Sequence, residues 1–140
     1  MTAEQHKAAT RRFIERGFNQ HDFSEFEAYF SPELVDHALP PNMPQGLEGR
    51  KTLAAMFFRA FPDIATTIED LVAEGDKVVT RWSVRGTHRG ELMGIPPTGK
   101  QVTVTGMAID RFENGASVEH WEIFDQLGLL QQLGAIPAPS

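Results

Sequence analysis

The stretch LAAMFFRAFPDIATTIEDLV, residues 53–72, changes period at its middle, and that change sets the architecture. Leu53, Met56, Phe57, Ala60 and Phe61 recur at helical spacing, so the first half predicts a helix with one apolar face. Pro62 closes it, because proline restricts the residue before it and supplies no backbone donor. From Ile64 onward the pattern shifts to the period of two that marks a strand. The chain before this junction reads mostly as helix and loop, and the chain after it mostly as sheet.

Toward the N-terminus, Thr2 and Gln5 form a capping box. Ala9, Phe13, Ile14, Gly17 and Phe18 carry the helix behind it to about Asn19. Asp22 and Glu25 repeat the signature before Phe23, Phe26 and Phe30, a short helix that ends ahead of Pro32. Leu34 to His37 reads as a brief strand, and the Pro- and Gly-rich run from Pro40 to Gly46 as a rim or lid. In the other direction, four strands are predicted: Ile64–Ala73, Lys77–Arg89, Gln101–Phe112 and Ser117–Phe124. Gly75-Asp76 and Asn114-Gly115 mark hairpin turns, while Gly90 to Lys100 caps one end of the sheet. Asp125 caps a last helical segment with Leu129, Leu130 and Leu133, stopped at Gly134, and residues 136–140 form a frayed tail.

The expectation is one α+β domain over residues 1–140, with three N-terminal helices on a mixed sheet. Helices covering one face of so few strands make the sheet curl around them, which leaves a cone-shaped apolar pocket suited to a small molecule. Ten Phe against one Tyr and two Trp supply its greasy volume. The net charge of −6, without a Lys/Arg run, argues against nucleic acid. No stretch reaches membrane-span length and the N-terminus lacks an apolar signal core, so the reading is a cytoplasmic protein. With no cysteine, disulfides, thiolate zinc sites and a cysteine nucleophile are excluded.

The densest polar cluster in apolar surroundings is Val118-Glu119-His120-Trp121-Glu122-Ile123-Phe124-Asp125. Alternation puts His120, Glu122 and Phe124 on one face. If that face looks into the pocket, Glu122 is a desolvated carboxyl suited to general acid/base work; otherwise it is a solvated, ion-paired group. His120 either orients Glu122 or polarises a substrate carbonyl. His88 shares the parity of Val78, Thr80 and Trp82, so it either lines the same pocket or ends the strand in water. His88, His120 and Glu122 would together make a two-histidine-one-carboxylate metal set, but nothing in the spacing brings them together, and no metal is expected. His37 either lines the pocket mouth or bonds to the proline-rich loop. Asp125 reads as a helix cap, and Asp110 and Glu119 as solvated charge. The turn at Asn114-Gly115 leaves two registers, with Met107 or Gly106 opposite Glu122. The second is preferred because Val102, Val104, Gly106 and Ala108 then make a smooth wall beside the carboxylate.

Gly90 to Lys100, Val118-Glu119-His120-Trp121-Glu122 and Leu130-Gln131-Gln132-Leu133-Gly134 together resemble the SnoaL-like polyketide cyclases, also called ester cyclases. Phe61-Pro62-Asp63 and Phe18-Asn19 fit the same pattern. The resemblance implies the cone-shaped nuclear transport factor two-like fold and aldol ring closure without metal or cofactor, driven by a pocket carboxylate. That carboxylate is an aspartate two residues after a histidine in the family, positions matched here by Glu122 and His120. Phe18 matches a pocket tyrosine, and Ala108 a further histidine. These matches imply Glu122 and His120 as catalytic residues and Phe18 and Ala108 as substrate-binding residues, and the strand faces and positions read above add His88, Trp82, His37 and Phe124 to the expected substrate-binding set. The expected ligand is a small apolar carbonyl or aromatic compound. Isomerisation, hydrolysis or dehydration would use the same proton shuttle, a non-catalytic carrier would use the same pocket, and Trp121 and Ile123 on the other sheet face point to a homo-oligomer, a dimer or larger.

Overall fold

Gln5 Oε1 accepts from the Thr2 amide and Thr2 Oγ1 from the Gln5 amide, so α1 (Ala3–Arg12) starts on a closed capping box. This is seen in a computed structural model, which describes residues 1–137; of the expected frayed tail, residues 138–140 lie outside the described residues. The first helix does not run on to Asn19 as regular α-helix. Residues Phe13–Phe18 form a π-helix, in which the Asn19 amide bonds to the Ile14 carbonyl at 2.9 Å. The wider turn brings Phe13 onto the ring of Tyr29, at 4.6 Å, and Ile14 and Phe18 toward the sheet.

Asp22 caps α2 (Phe23–Tyr29) through the Ser24 amide. The chain then turns directly into β1 (Phe30–Asp36), so Phe30 belongs to a strand and not to the helix. It is 1% exposed and pairs with Ser117, which outweighs its helical spacing in the sequence. Pro32 is tolerated because β1 is an edge strand. After the proline-rich loop come α3 (Leu47–Ala60), β2 (Ala65–Glu74), β3 (Lys77–Thr87), β4 (Gln101–Glu113), β5 (Ala116–Phe124) and α4 (Gln126–Leu133). Asp125 caps α4 through the Gly128 amide, as expected.

The sheet order is β1-β5-β4-β3-β2, with β1 parallel to β5 and every other pair antiparallel. Neither expected register holds: Glu122 lies opposite Ala108. The turn is the two-residue Asn114-Gly115, since Glu113 pairs with Ala116, but a β-bulge between Arg111 and Phe112 shifts all later pairs by one. Phe112 faces Ser117 and Arg111 faces Glu119, leaving Val118 as the extra residue. The preferred wall nonetheless forms, because Val102, Val104 and Ala108 keep the same face as Glu122.

All ten phenylalanines sit in the core or pack against it, filling the space between the helices and the concave sheet face. Gly106 is required there. A Cβ at this position would meet the Trp82 ring and come within 2.7 Å of the Ile123 carbonyl oxygen. Among the described residues no helix is long and apolar enough to cross a membrane.

Candidate active site

Across the inner sheet face the ladders align three rows: Val78–Asp110–His120, Thr80–Ala108–Glu122 and Trp82–Gly106–Phe124. Thr80, Ala108, Asp110, His120 and Glu122 of these rows floor a cavity of about 200 Å³, walled by Phe18, Phe57, Phe61, Trp82, Val84 and Phe124 and almost entirely apolar. Its polar end is a charge cluster. His120 Nδ1 lies 2.8 Å from Asp110 Oδ1, and Nε2 lies 3.0 Å from Glu122 Oε1. Asp110 also accepts from Ser117 Oγ at 2.7 Å; the bulge at Val118 is what lets Ser117 and His120 reach the same carboxylate. Arg50 enters from α3. Its Nε donates to Asp36 Oδ2 at 2.7 Å and its Nη1 stands 3.5 Å from Glu122 Oε1.

Burial works against a charge on His120, but Asp110 and then Glu122 outweigh it and hold the imidazolium up to a pKa of about 10. At neutral pH both ring nitrogens therefore donate, one to each acid. Burial likewise opposes the Arg50 charge, and Glu122 and Asp36 raise its pKa above the usual arginine value. Tyr29, fully buried and bonded to Thr10 at 2.8 Å, is pushed well above the ordinary tyrosine range by burial and by Asp110. It stays a neutral hydroxyl behind the cluster. Glu122 spends Oε1 on His120 and Arg50; no hydrogen bond among the described residues uses Oε2.

Of the residues singled out in the sequence, Glu122, His120, Phe18, Trp82, Ala108 and Phe124 all line this cavity. His88 and His37 do not. His88 is fully buried beyond its far end, packed on Phe61 and bonded through Nδ1 to Thr98. It lies eight residues along β3 from Thr80, roughly 26 Å of extended strand, so it cannot share a metal with His120 and Glu122. His37 sits on the outer face, stacked on Trp121 and 2.7 Å from Glu119, because it follows Asp36 and strand alternation sends it outward. Glu122 is not a lone carboxyl in apolar surroundings either, since His120 and Arg50 are in contact with it. Asp110, read as solvated, is 3% exposed and belongs to the cluster. Arg50 and Asp36 complete the cluster without having stood out in the sequence.

The profile of the SnoaL-like polyketide cyclases matches residues 8–133. The chain belongs to that family. Among solved structures it is similar to IdmH, a candidate polyketide cyclase from Streptomyces antibioticus, with 35% identity, 93% of this chain and 99% of that one covered, and a TM-score of 0.82. TsrD from Streptomyces laurentii is similar at 29% identity over 97% of this chain and 99% of that one, TM-score 0.89. AclR, a candidate hydroxylase from Streptomyces galilaeus, shares 30% identity over 99% of this chain and 87% of its own, TM-score 0.89. A comparison with curated proteins gives no match. Of the three positions at which this SnoaL-like chain differs from the residues that the resemblance implies, Glu122, Ala108 and Phe18, the first two lie directly opposite each other on β5 and β4. The longer acid stands next to the space that the smaller residue leaves.

Proposed function

We propose that this chain is a cyclase-type enzyme that performs acid/base chemistry on a small apolar carbonyl compound, using only protein groups. The observation that carries the reading is the Asp110–His120–Glu122 chain at the polar end of an otherwise apolar cavity, with Glu122 Oε2 unclaimed. In the proposed reaction Oε2 takes a proton from the carbon beside the substrate carbonyl, and the electron pair left behind moves onto oxygen as an enolate. The enolate carbon then attacks a second carbonyl of the same molecule, and the resulting alkoxide takes the proton back from Glu122. His120, held by Asp110, keeps Glu122 in one rotamer and answers its changes of charge. Phe18, Trp82, Ala108 and Phe124 shape the substrate's surroundings.

The test follows hydrogen–deuterium exchange at the carbons flanking the carbonyl of 4-phenylbutan-2-one in heavy water. Wild-type protein is expected to accelerate exchange, and Glu122→Gln to lose at least about a hundredfold of it, the range of a positioned acid/base group. Binding without exchange would leave a carrier for apolar metabolites and discard the enzyme.

A further inference from the structure

The cluster contains more than an acid and its partner. Arg50 stands in the first turn of α3, on the same face as Leu53, Ala54 and Phe57, all of which line the cavity. Its guanidinium is held from behind by Asp36, whose carboxylate is wholly buried and whose Oδ1 is fixed by the Ala38 amide at 2.9 Å. Nη2 lies 2.7 Å from Asp36 Oδ2 without an aligned hydrogen bond. Nη1 meets Glu122 Oε1 only at 3.5 Å, the outer limit for such a bond. Nη2 is buried against Asp36, so the guanidinium nitrogen that stands beside Glu122, held there by only this long bond, is Nη1.

The formal charges set what those donors accept. Asp36, Asp110 and Glu122 face Arg50 and His120, three acids against two cations. An anionic ligand group would meet a surplus of negative charge in a largely apolar cavity, where repulsion is stronger than in water. A neutral carbonyl oxygen meets no such penalty and receives a charge-assisted hydrogen bond.

We infer that Arg50 is the carbonyl-binding group of the site, taking the substrate oxygen on Nη1 and selecting neutral ketones or esters over carboxylates. This rests on the reading of Glu122 given above and extends it. With the oxygen on Arg50, the neighbouring C–H faces Glu122 Oε2, and the enolate charge that develops lands on the guanidinium.

The probes are 4-phenylbutan-2-one and 3-phenylpropionate, equal in shape and different in charge, with binding followed by isothermal titration and exchange by NMR. Wild type is expected to bind the ketone at least tenfold more tightly. Arg50→Gln should weaken ketone binding and slow its exchange about a hundredfold, the cost of losing one oxyanion donor. Asp36→Asn, which keeps the Oδ1 contact but removes the surplus charge, should narrow the preference for ketone about tenfold. If Arg50→Gln folds poorly with Asp36 left unpaired, the double variant Asp36→Asn/Arg50→Gln removes both charges and answers the same question. Equal or tighter binding of 3-phenylpropionate, no binding of either probe, or ketone binding and exchange unaffected by loss of Arg50 would overturn the assignment. An Arg50-dependent preference with no exchange in wild type would uphold Arg50 and sink the cyclase reading. Exchange lost in Glu122→Gln but untouched in Arg50→Gln would do the reverse.

Discussion

His120 is nearly inaccessible, yet it is held as a cation between two acids on the inner sheet face. Its unfolded pKa lies near 6.5, and in the fold it is about 10. Because the folded value is the higher one, the stability that the His120 proton contributes is fully present below about pH 6.5 and is lost as pH rises through about 10. A loss on the order of a few kcal/mol is expected across that window, read as a falling melting temperature, and Asp110→Asn should remove most of the slope. Glu122 and His120 were legible in the sequence because alternation along one strand fixes which side chains share a face. Asp110 obeys the same alternation with Ala108, but with Glu119 of the facing strand it reads as solvated charge, and only the folded register sets it opposite His120. Arg50 had a signal too: it precedes Leu53, Ala54 and Phe57 at helical spacing, on a face that is otherwise apolar.

Among the elements, the change of period at Pro62 located the boundary between α3 and the sheet within a few residues. The bulge at Val118 and the π-turn over Phe13–Phe18 were not legible, because both depend on contacts made far away in sequence. Ser117 is drawn inward by Asp110, and Phe13 by Tyr29 and Phe26. Gly106 is the corresponding device in the cavity floor, where it lets Trp82 lie flat over β4. Gly106→Ala is expected to destabilise the protein by about 1–3 kcal/mol, since the added methyl meets a backbone oxygen as well as the indole. Trp82 should also be pushed into the cavity, weakening binding of 4-phenylbutan-2-one. Unchanged denaturant unfolding and unchanged affinity would show that the floor has slack.

Across the molecule, the α+β architecture and its apolar interior come from the order of periods and the phenylalanine excess, while the depth and charge of the cavity emerge only on folding. The outer sheet face is apolar as well. Met107 and Ile123 pair directly there at 54% and 80% exposure, beside Trp121 and Ile109. A contiguous apolar patch of this kind is expected to be covered by a second copy in an isologous dimer or a larger assembly. Light scattering should give twice the chain mass or more at micromolar concentration and a shift toward monomer for Ile123→Lys; a monomeric wild type would contradict it. The proposed function rests on a charged His120–Glu122 pair at the end of an apolar cavity, and nitrogen-resolved NMR of the His120 ring from pH 6 to 11 observes that pair without an intermediary. Both ring nitrogens are predicted to carry protons at pH 8, with the ring losing one near pH 10. A neutral His120 at pH 8 would contradict the charge cluster and the acid/base chemistry built on it.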